Sequence, residues 1–299
     1  MTLSVFIDGA AGTTGLEIET RLADREEFEL ITLDEVHRKD ARARRDALNA
    51  ADIVILCLPD DAAREAVALI DHPATRVIDA SSAHRTAPGW TYGFPELGHD
   101  VAGAMRVSNP GCYATGFIAL VAPLVRSGLI AADARLSCNA VSGFSGGGKA
   151  MIAEFEQGDA PTAWRTYALG LAHKHVPEMQ THSGLDYPPL FAPSVAATHR
   201  GMIVDVPLFG IDPAAARDAL AAAYAGSKIV RVANHDEASL KIEHMAGCDA
   251  MELFVFARVD HSQCRLVAAL DNLGKGAAGA AVQNLNLLAG LPETAGLRL

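Results

Sequence analysis

The sequence predicts an α/β protein in two parts, a parallel sheet with crossover helices followed by an α+β region on a mixed sheet. Three observations predict it. The first ninety residues alternate short apolar runs with amphipathic stretches, and a glycine-rich turn joins the first such pair. From residue 129 to 270 the apolar runs lengthen, alternate in polarity and are separated by Gly-rich loops and the Pro188-Pro189 pair. Strand–helix alternation implies parallel strands with right-handed crossovers. Long alternating runs imply antiparallel or mixed pairing.

Taken in order, residues 4–7 are a short apolar strand and 16–23 the first helix. A second strand follows at 28–33, a charged Ala-rich helix at 42–49, and a strongly apolar strand at 53–58. Residues 62–70 read as a helix and 76–79 as a strand. A short strand ends at Val107, and an apolar helix then runs to about Arg126. Strands at 201–208, 251–259 and 266–270 and an Ala-rich helix through Leu288 complete the chain. This pattern puts the first domain at 1–108, completed by a C-terminal helix within 271–299. The second domain is then 109–270, carrying catalysis and oligomerisation.

Composition bounds the partners. With 299 residues, half of them hydrophobic, the chain has enough apolar material for two modest cores. Its net charge of −11 and the lack of any basic stripe argue against a nucleic-acid or anionic-membrane partner. The longest clean apolar run, 117–125, falls far short of the ~20 residues a membrane span needs. The chain opens directly on a strand, with nothing like a signal peptide, so a cytoplasmic setting is expected. Five widely spread cysteines with no CxxC pair suit neither a disulfide framework nor a zinc knuckle, and no metal is expected.

Gly9-Ala10-Ala11-Gly12-Thr13-Thr14-Gly15 follows the first strand and opens the first helix. Glycines there allow a tight turn and close backbone approach, and a pyrophosphate sits at the helix N-terminus. That context makes the first domain Rossmann-type and nucleotide-binding. Leu58 and Pro59, at the end of the third strand, are grouped with the same site. Asp34, after the second strand, is placed to bind a ribose hydroxyl, whereas His37-Arg38-Lys39 is suited to a 2′-phosphate. The basic cluster favours NADP.

Ser108-Asn109-Pro110-Gly111-Cys112-Tyr113-Ala114-Thr115-Gly116 is the most informative stretch. Ser108 or Asn109 is expected to cap the apolar helix, with Pro110 at its first position and Cys112 in its first turn. A thiol there feels the positive helix end and nearby N–H groups, which favour the thiolate. Cys112 is the candidate nucleophile. His173-Lys174-His175-Val176-Pro177-Glu178 supplies two candidate bases, His173 and His175; which one is the base stays open, with His175 favoured, His173 then lining the pocket and Glu178 orienting one of the two imidazoles. Metal ligation by the two histidines with His182 is discounted, because no further ligand lies at suitable spacing. Two loops look like anion sites: Ser81, Ser82 and Arg85 after the 76–79 strand, and the run Ser142-Gly143-Phe144-Ser145-Gly146-Gly147-Gly148-Lys149. Ser81, Ser82, Arg85, Asn109, Ser142, Gly143 and Lys149 are therefore the candidate substrate-binding residues.

These segments, with Tyr92-Gly93-Phe94-Pro95-Glu96-Leu97 and Asn272-Leu273-Gly274-Lys275-Gly276-Ala277-Ala278-Gly279, occur in an order that resembles the N-acetyl-γ-glutamyl-phosphate reductase family. The chain is similar to the family's compact type, and aspartate-semialdehyde dehydrogenase is the sister family. The resemblance implies NADPH-dependent reductive dephosphorylation of N-acetyl-L-glutamyl 5-phosphate through a Cys112 thioester, in arginine biosynthesis. It also implies that Arg85 holds the phosphate or carboxylate, that Asn272 contacts the nicotinamide and that Gly274 gives it room. A homo-oligomer, dimer or tetramer, is implied as well. Gly147 and Lys149 stand where the family often has Ala and Arg, which replaces a bidentate fork with a point charge. Two alternatives stay open: the same chemistry on aspartyl or aminoadipyl phosphate, and a nucleotide-binding sensor that has lost catalysis.

Overall fold

The computed structural model of the chain describes residues 2–158 and 160–299. In the first half, β1 (Leu3–Asp8) passes through the glycine turn into α1 (Thr13–Leu22). Then come β2 (Phe28–Ile31), α2 (Ala41–Ala50), β3 (Ile53–Leu56), α3 (Asp60–Ala68), β4 (Arg76–Asp79), β5 (Thr91–Tyr92) and β6 (Arg106–Ser108). The second half comprises α4 (Cys112–Arg126), β7 (Ser137–Gly143), α5 (Gly148–Glu156), β8 (Trp164–Thr166), α6 (Val176–Ser183), β9 (Leu190–Ala196) and β10 (Met202–Phe209). It continues through α7 (Pro213–Ala223), β11 (Val230–Val232), β12 (Met251–Ala257) and β13 (Gln263–Leu270). A π-helical turn (Gly274–Ala278) leads into α8 (Gly279–Leu288).

The chain forms two compact units, one running to Pro110 and including Ala277–Leu297, the other Gly111–Gly276 with the last two residues. The first holds an all-parallel sheet in the order β2-β1-β3-β4-β6-β5. Strand β3 is buried throughout because it feeds two cores: Ile53 and Ile55 join the cluster of α1 and α8, while Val54 and Leu56 join that of α2 and α3. A continuous apolar run is what a parallel strand covered on both faces requires. The order reverses at β1, so the crevice at the ends of β1 and β3 is the natural ligand position.

The second unit holds a seven-stranded sheet, β11-β12-β13-β10-β7-β9-β8. Pairs β7–β9 and β11–β12 are parallel and the rest antiparallel, the mixed sheet that the alternating runs imply. Helix α4 packs on β10 and β13 and is buried from Tyr113 to Leu124. Its Gly116 allows that close approach, since a methyl there would lie 2.7 Å from Val204 Cγ2.

Two local expectations are corrected. Helix α4 begins at Cys112 with an extended Gly111 as N-cap, not at Pro110 with Ser108 or Asn109 capping. Proline disfavours a helical residue before it, and the Asn109 N–H donates to the Asp79 carbonyl at 2.7 Å, prolonging the sheet. The glycine run after β7 is a 3₁₀ turn (Phe144–Gly147) leading directly into α5, rather than an open loop.

Candidate active site

The glycine turn is shaped by contact with its own neighbours. Gly9 has a φ of +94°, which glycine adopts without strain, and a side chain there would run into the Cys57 carbonyl. A methyl on Gly15 would lie 2.5 Å from the Gly9 oxygen and 2.7 Å from Ala10 Cα. Gly12 caps α1 without a side-chain bond, leaving the helix N-terminus to backbone N–H groups. The buried Thr13 hydroxyl meets no hydrogen-bond partner among the described residues. A cavity of about 750 Å³ opens over the turn, lined among others by Gly9, Ala11, Leu58, Arg38, Lys39 and Arg44. Bare backbone, an orphaned hydroxyl at a helix N-terminus and a cavity of this size fit a dinucleotide. Of the expected cofactor residues Gly12, Thr13, Thr14, Gly15 and Pro59 flank this cavity in sequence rather than line it; Pro59 is the exposed N-cap of α3.

The Asp34 carboxylate is turned into its own loop. It accepts from the N–H groups of Val36 at 3.0 Å and His37 at 2.9 Å, and meets His37 Nδ1 at 2.8 Å. The His37 backbone bond is the main reason its carboxyl is held below the ordinary value. Arg38 is exposed, pairs with Glu35 at 2.8 Å and lines the cavity. Arg38 and Lys39, together with Glu35 but not Asp34, line the cavity at this end.

In the second unit, Cys112 is the first residue of α4 and is partly exposed. Glu178, in the first turn of α6 and almost fully buried, accepts from the Gly111 N–H at 3.1 Å and stands 4.0 Å from His175 Nε2. One carboxylate thus joins the cap of the cysteine helix to an imidazole. The His175 N–H donates to His173 Nδ1 at 3.1 Å, so the neutral His173 ring carries its proton on Nε2. The two rings stand edge to face, 4.7 Å apart, and each lies about 6 Å from the Tyr113 ring. The four expected residues Cys112, His173, His175 and Glu178 therefore converge.

Three of the other thiols are raised by burial. Cys57 keeps some surface as a residue, yet desolvation of its thiol, then Asp79 and Asp8, push it up to about 12. Burial, reinforced by Asp205, raises Cys138, and burial also raises Cys264.

The expected substrate residues fare less uniformly. Ser81 donates through its N–H and hydroxyl to Asp79, and Ser82 likewise to Asp60, so both hydroxyls are spent on carboxylates that would repel an anion. Asp79, fully buried, also meets His84 Nδ1 at 2.6 Å, and His84 stacks on Trp90. Arg85 is 7% exposed and donates to the carbonyls of Asn109 and Ala80. The Asn109 amide donates to the Ala277 carbonyl and accepts from Asn284. The Ser142 hydroxyl donates to the Gly143 carbonyl, and a methyl on Gly143 would lie 2.7 Å from the His199 oxygen. Lys149 is exposed on α5. Asn272 is fully engaged, donating to Ser145 Oγ at 2.8 Å and accepting from the Gly201 N–H, and a side chain on Gly274 would run into the Cys248 carbonyl. Ser81, Ser82, Asn109, Asn272 and Gly274 each bond to or pack against chain segments of their own unit. The reason is common to them: small polar residues and glycines are equally suited to a ligand and to a neighbouring chain segment.

Sequence reasoning missed three things. Tyr167 donates to the Tyr113 hydroxyl at 3.0 Å, and Tyr113 donates to the Ser194 carbonyl at 2.9 Å. Burial is the main cause that raises both phenols, Tyr167 to about 12. Arg44 donates twice to Asp8 on the cavity wall. Gly276 packs against Cys112. Tyr113, adjacent to the cysteine in sequence, was the one signal available.

Residues 4–104 match the semialdehyde dehydrogenase NAD binding domain, and residues 112–272 match the semialdehyde dehydrogenase dimerisation domain. N-acetyl-gamma-glutamyl-phosphate reductases of Brucella ovis and Brucella canis are each 51% identical to the chain, covering 97% of it and 100% of themselves. Among solved structures, aspartate semialdehyde dehydrogenase II of Vibrio cholerae complexed with ASA superposes with a TM-score of 0.71 at 18% identity, covering 97% of this chain and 99% of that one. The aspartate semialdehyde dehydrogenase of Francisella tularensis gives 0.72 at 14% identity, covering 96% and 100%. These two share the fold; the Brucella proteins share the sequence along its whole length. The chain belongs to the semialdehyde dehydrogenase family, as a member of its N-acetyl-gamma-glutamyl-phosphate reductase branch.

Proposed function

We propose that the chain converts N-acetyl-L-glutamyl 5-phosphate to N-acetyl-L-glutamate 5-semialdehyde with NADPH, a step of arginine biosynthesis. The observation that carries this reading is the Cys112–Gly111–Glu178–His175 arrangement at the start of α4. It is chemistry for an acyl group and has no use in a mere sensor. Cys112 Sγ attacks the acyl carbonyl, the bond to the phosphate oxygen breaks, and the acyl group is held as a thioester. His175 takes the thiol proton and later returns a proton to the carbonyl oxygen, while Glu178 stabilises the imidazolium. N–H groups of the first turn of α4 are suited to the oxyanion formed on attack. His173, with Nδ1 engaged, offers Nε2–H to the substrate. As the C–S bond of the thiohemiacetal breaks, its hydroxyl proton passes back through His175 to the sulfur, which releases the aldehyde and regenerates the thiol.

The dinucleotide is held by the turn from Gly9 to Gly15 and bordered by Leu58. When bound, its nicotinamide supplies the hydride that reduces the thioester. We read the cofactor as NADP, because Arg38 and Lys39 line the cavity while Asp34 is bonded within its own loop. Arg85, buried and donating to two carbonyls, and Lys149, exposed on α5, are the cationic residues we assign to the substrate's anionic groups. The match to a dimerisation domain supports a homo-oligomer, dimer or tetramer. No helix among the described residues is long and apolar enough to cross a membrane, and a cytoplasmic setting suits a biosynthetic enzyme of this class.

Running the reaction backwards tests the proposal without the unstable acyl phosphate. Protein mixed with N-acetylglutamate semialdehyde, phosphate and NADP⁺ should turn over, forming NADPH beyond one equivalent per site, only when phosphate is present. Activity confined to aspartate or aminoadipate semialdehyde would keep the mechanism and reassign the substrate. Cofactor binding with no turnover of any semialdehyde would contradict the enzyme reading.

A further inference from the structure

The segment Asp271-Asn272-Leu273-Gly274-Lys275-Gly276 follows β13 and is built into the second unit. Asp271 is fully buried and accepts from the N–H groups of Leu273 at 2.7 Å, Gly274 at 3.0 Å and Gly247 at 2.5 Å, with Arg200 3.5 Å away. The Gly276 N–H bonds back five residues to the Asp271 carbonyl at 3.0 Å, tying the π-helical turn Gly274–Ala278 to the end of β13. A π turn carries one more residue per turn than an α-helix can, which displaces a segment sideways. Gly276 stands within this turn and faces the cysteine: a methyl on it would lie 2.9 Å from Cys112 Cβ and 3.4 Å from Cys112 Cα. Cβ atoms do not approach so closely, and neither obstacle is the free end of a flexible side chain. One lies on the first residue of α4, the other, the Asp271 carbonyl at 3.0 Å, is backbone.

We infer that Gly276 is a positioning residue for Cys112. The π turn forms a rigid wall behind the nucleophile, and only glycine lets that wall stand close enough to hold the start of α4, and with it the Sγ, in register with the first-turn N–H groups and with His175. The inference rests on the reading of Cys112 as nucleophile. It assigns this part of the terminal glycine motif to the thiol rather than to the cofactor. Displacement of a reacting atom by a fraction of an ångström costs rate steeply, up to about 100-fold per ångström. Substrate and cofactor contacts made elsewhere are left intact.

The test is Gly276→Ala in the full-length enzyme, with three readouts. Alkylation of Cys112 by iodoacetamide, followed by mass spectrometry of its peptide across a pH series, should slow by about tenfold at neutral pH, and its midpoint should move upward as the thiolate leaves the helix N–H groups. In turnover, kcat should fall by about 10- to 100-fold with KM changed less than about threefold. The Kd for NADP⁺, from fluorescence titration, should stay within about twofold of the parent. An unchanged or faster alkylation rate would overturn the inference, and so would a tenfold weaker NADP⁺ affinity with normal alkylation, which would give the motif to the cofactor. Should the variant not fold, Asp271→Asn loosens the same turn without adding an atom beside Cys112. It should slow alkylation in the same direction by a smaller factor, and a parental rate would again overturn the inference. Alkylation reports the surroundings of the thiol whether or not turnover uses it. Retained turnover in Cys112→Ser would sink the nucleophile reading instead, so the two failures are distinct.

Discussion

The glycine turn after β1 and the glycine run after β7 have similar compositions and different surroundings. The first borders a cavity of about 750 Å³, and its glycines are bare so that strand end and helix start can meet beneath that space. The second is packed against its own unit: Gly143 on the His199 carbonyl, Ser145 bonded to that same carbonyl and to Asn272, Gly147 on Met151. A glycine pattern records that something comes close. Whether it is a ligand or another stretch of chain depends on residues far away in sequence, here His199 and Asn272.

The largest effect should separate chemistry from cofactor binding. Cys112→Ser should lower kcat by at least about 1,000-fold, as loss of a covalent nucleophile does, with the NADP⁺ Kd unchanged. Equal loss of both would mean that the glycine turn and the cysteine helix do not have separate tasks.

Next comes the comparison itself. Gly15→Ala should weaken NADP⁺ binding by about tenfold or more, because its methyl meets backbone atoms at 2.5 and 2.7 Å. Gly147→Ala should change that Kd by less than about twofold, since its methyl meets Met151, 2.5 Å from Sδ and 2.7 Å from Cβ, and no residue that lines the cavity, so its cost falls on stability and not on affinity. Isothermal titration of both variants measures the difference, and similar losses would erase the distinction drawn between the two runs.

How much of this was legible beforehand follows the same division. The strand–helix alternation, the mixed second sheet and the convergence of Cys112 with 173–178 could be read, because periodicity and helix-start signals are local. The internal partners of Ser81, Ser82, Asn109 and Asn272 could not. Each is a small polar residue whose partner, Asp79, Asp60, Asn284 or Gly201, is chosen by tertiary packing. The start of α4 slipped by two residues because the pull of Asn109 into the sheet comes from β4, which no helix rule includes.

A moderate effect should sharpen the cofactor assignment. Arg38→Ala with Lys39→Ala should cost NADP⁺ about 10- to 100-fold in affinity and leave NAD⁺ within about twofold, since an exposed cation pair matters only to the extra phosphate. Parallel losses for both cofactors would remove the 2′-phosphate reading.

The smallest effect is on stability in alkali. The Cys57 thiol, pushed up to about 12 from an ordinary 9.0, stays protonated in the folded chain while the unfolded thiol ionises. The folded state then binds more protons, so its stability contribution is complete below pH 9 and falls as pH rises from 9 toward 12. Cys57→Ala should make the fall in Tm over that window shallower than in the parent, and an identical slope would contradict the assignment.

The central claim is that Cys112 carries the acyl group. Mass spectrometry tests it most directly on protein incubated with N-acetylglutamate semialdehyde and NADP⁺ in the absence of phosphate, then quenched in acid. The account predicts an N-acetylglutamyl thioester on the Cys112 peptide that disappears when phosphate is added and never forms in Cys112→Ser. NADPH formed and released with no adduct on Cys112, or an adduct on another cysteine, would contradict it.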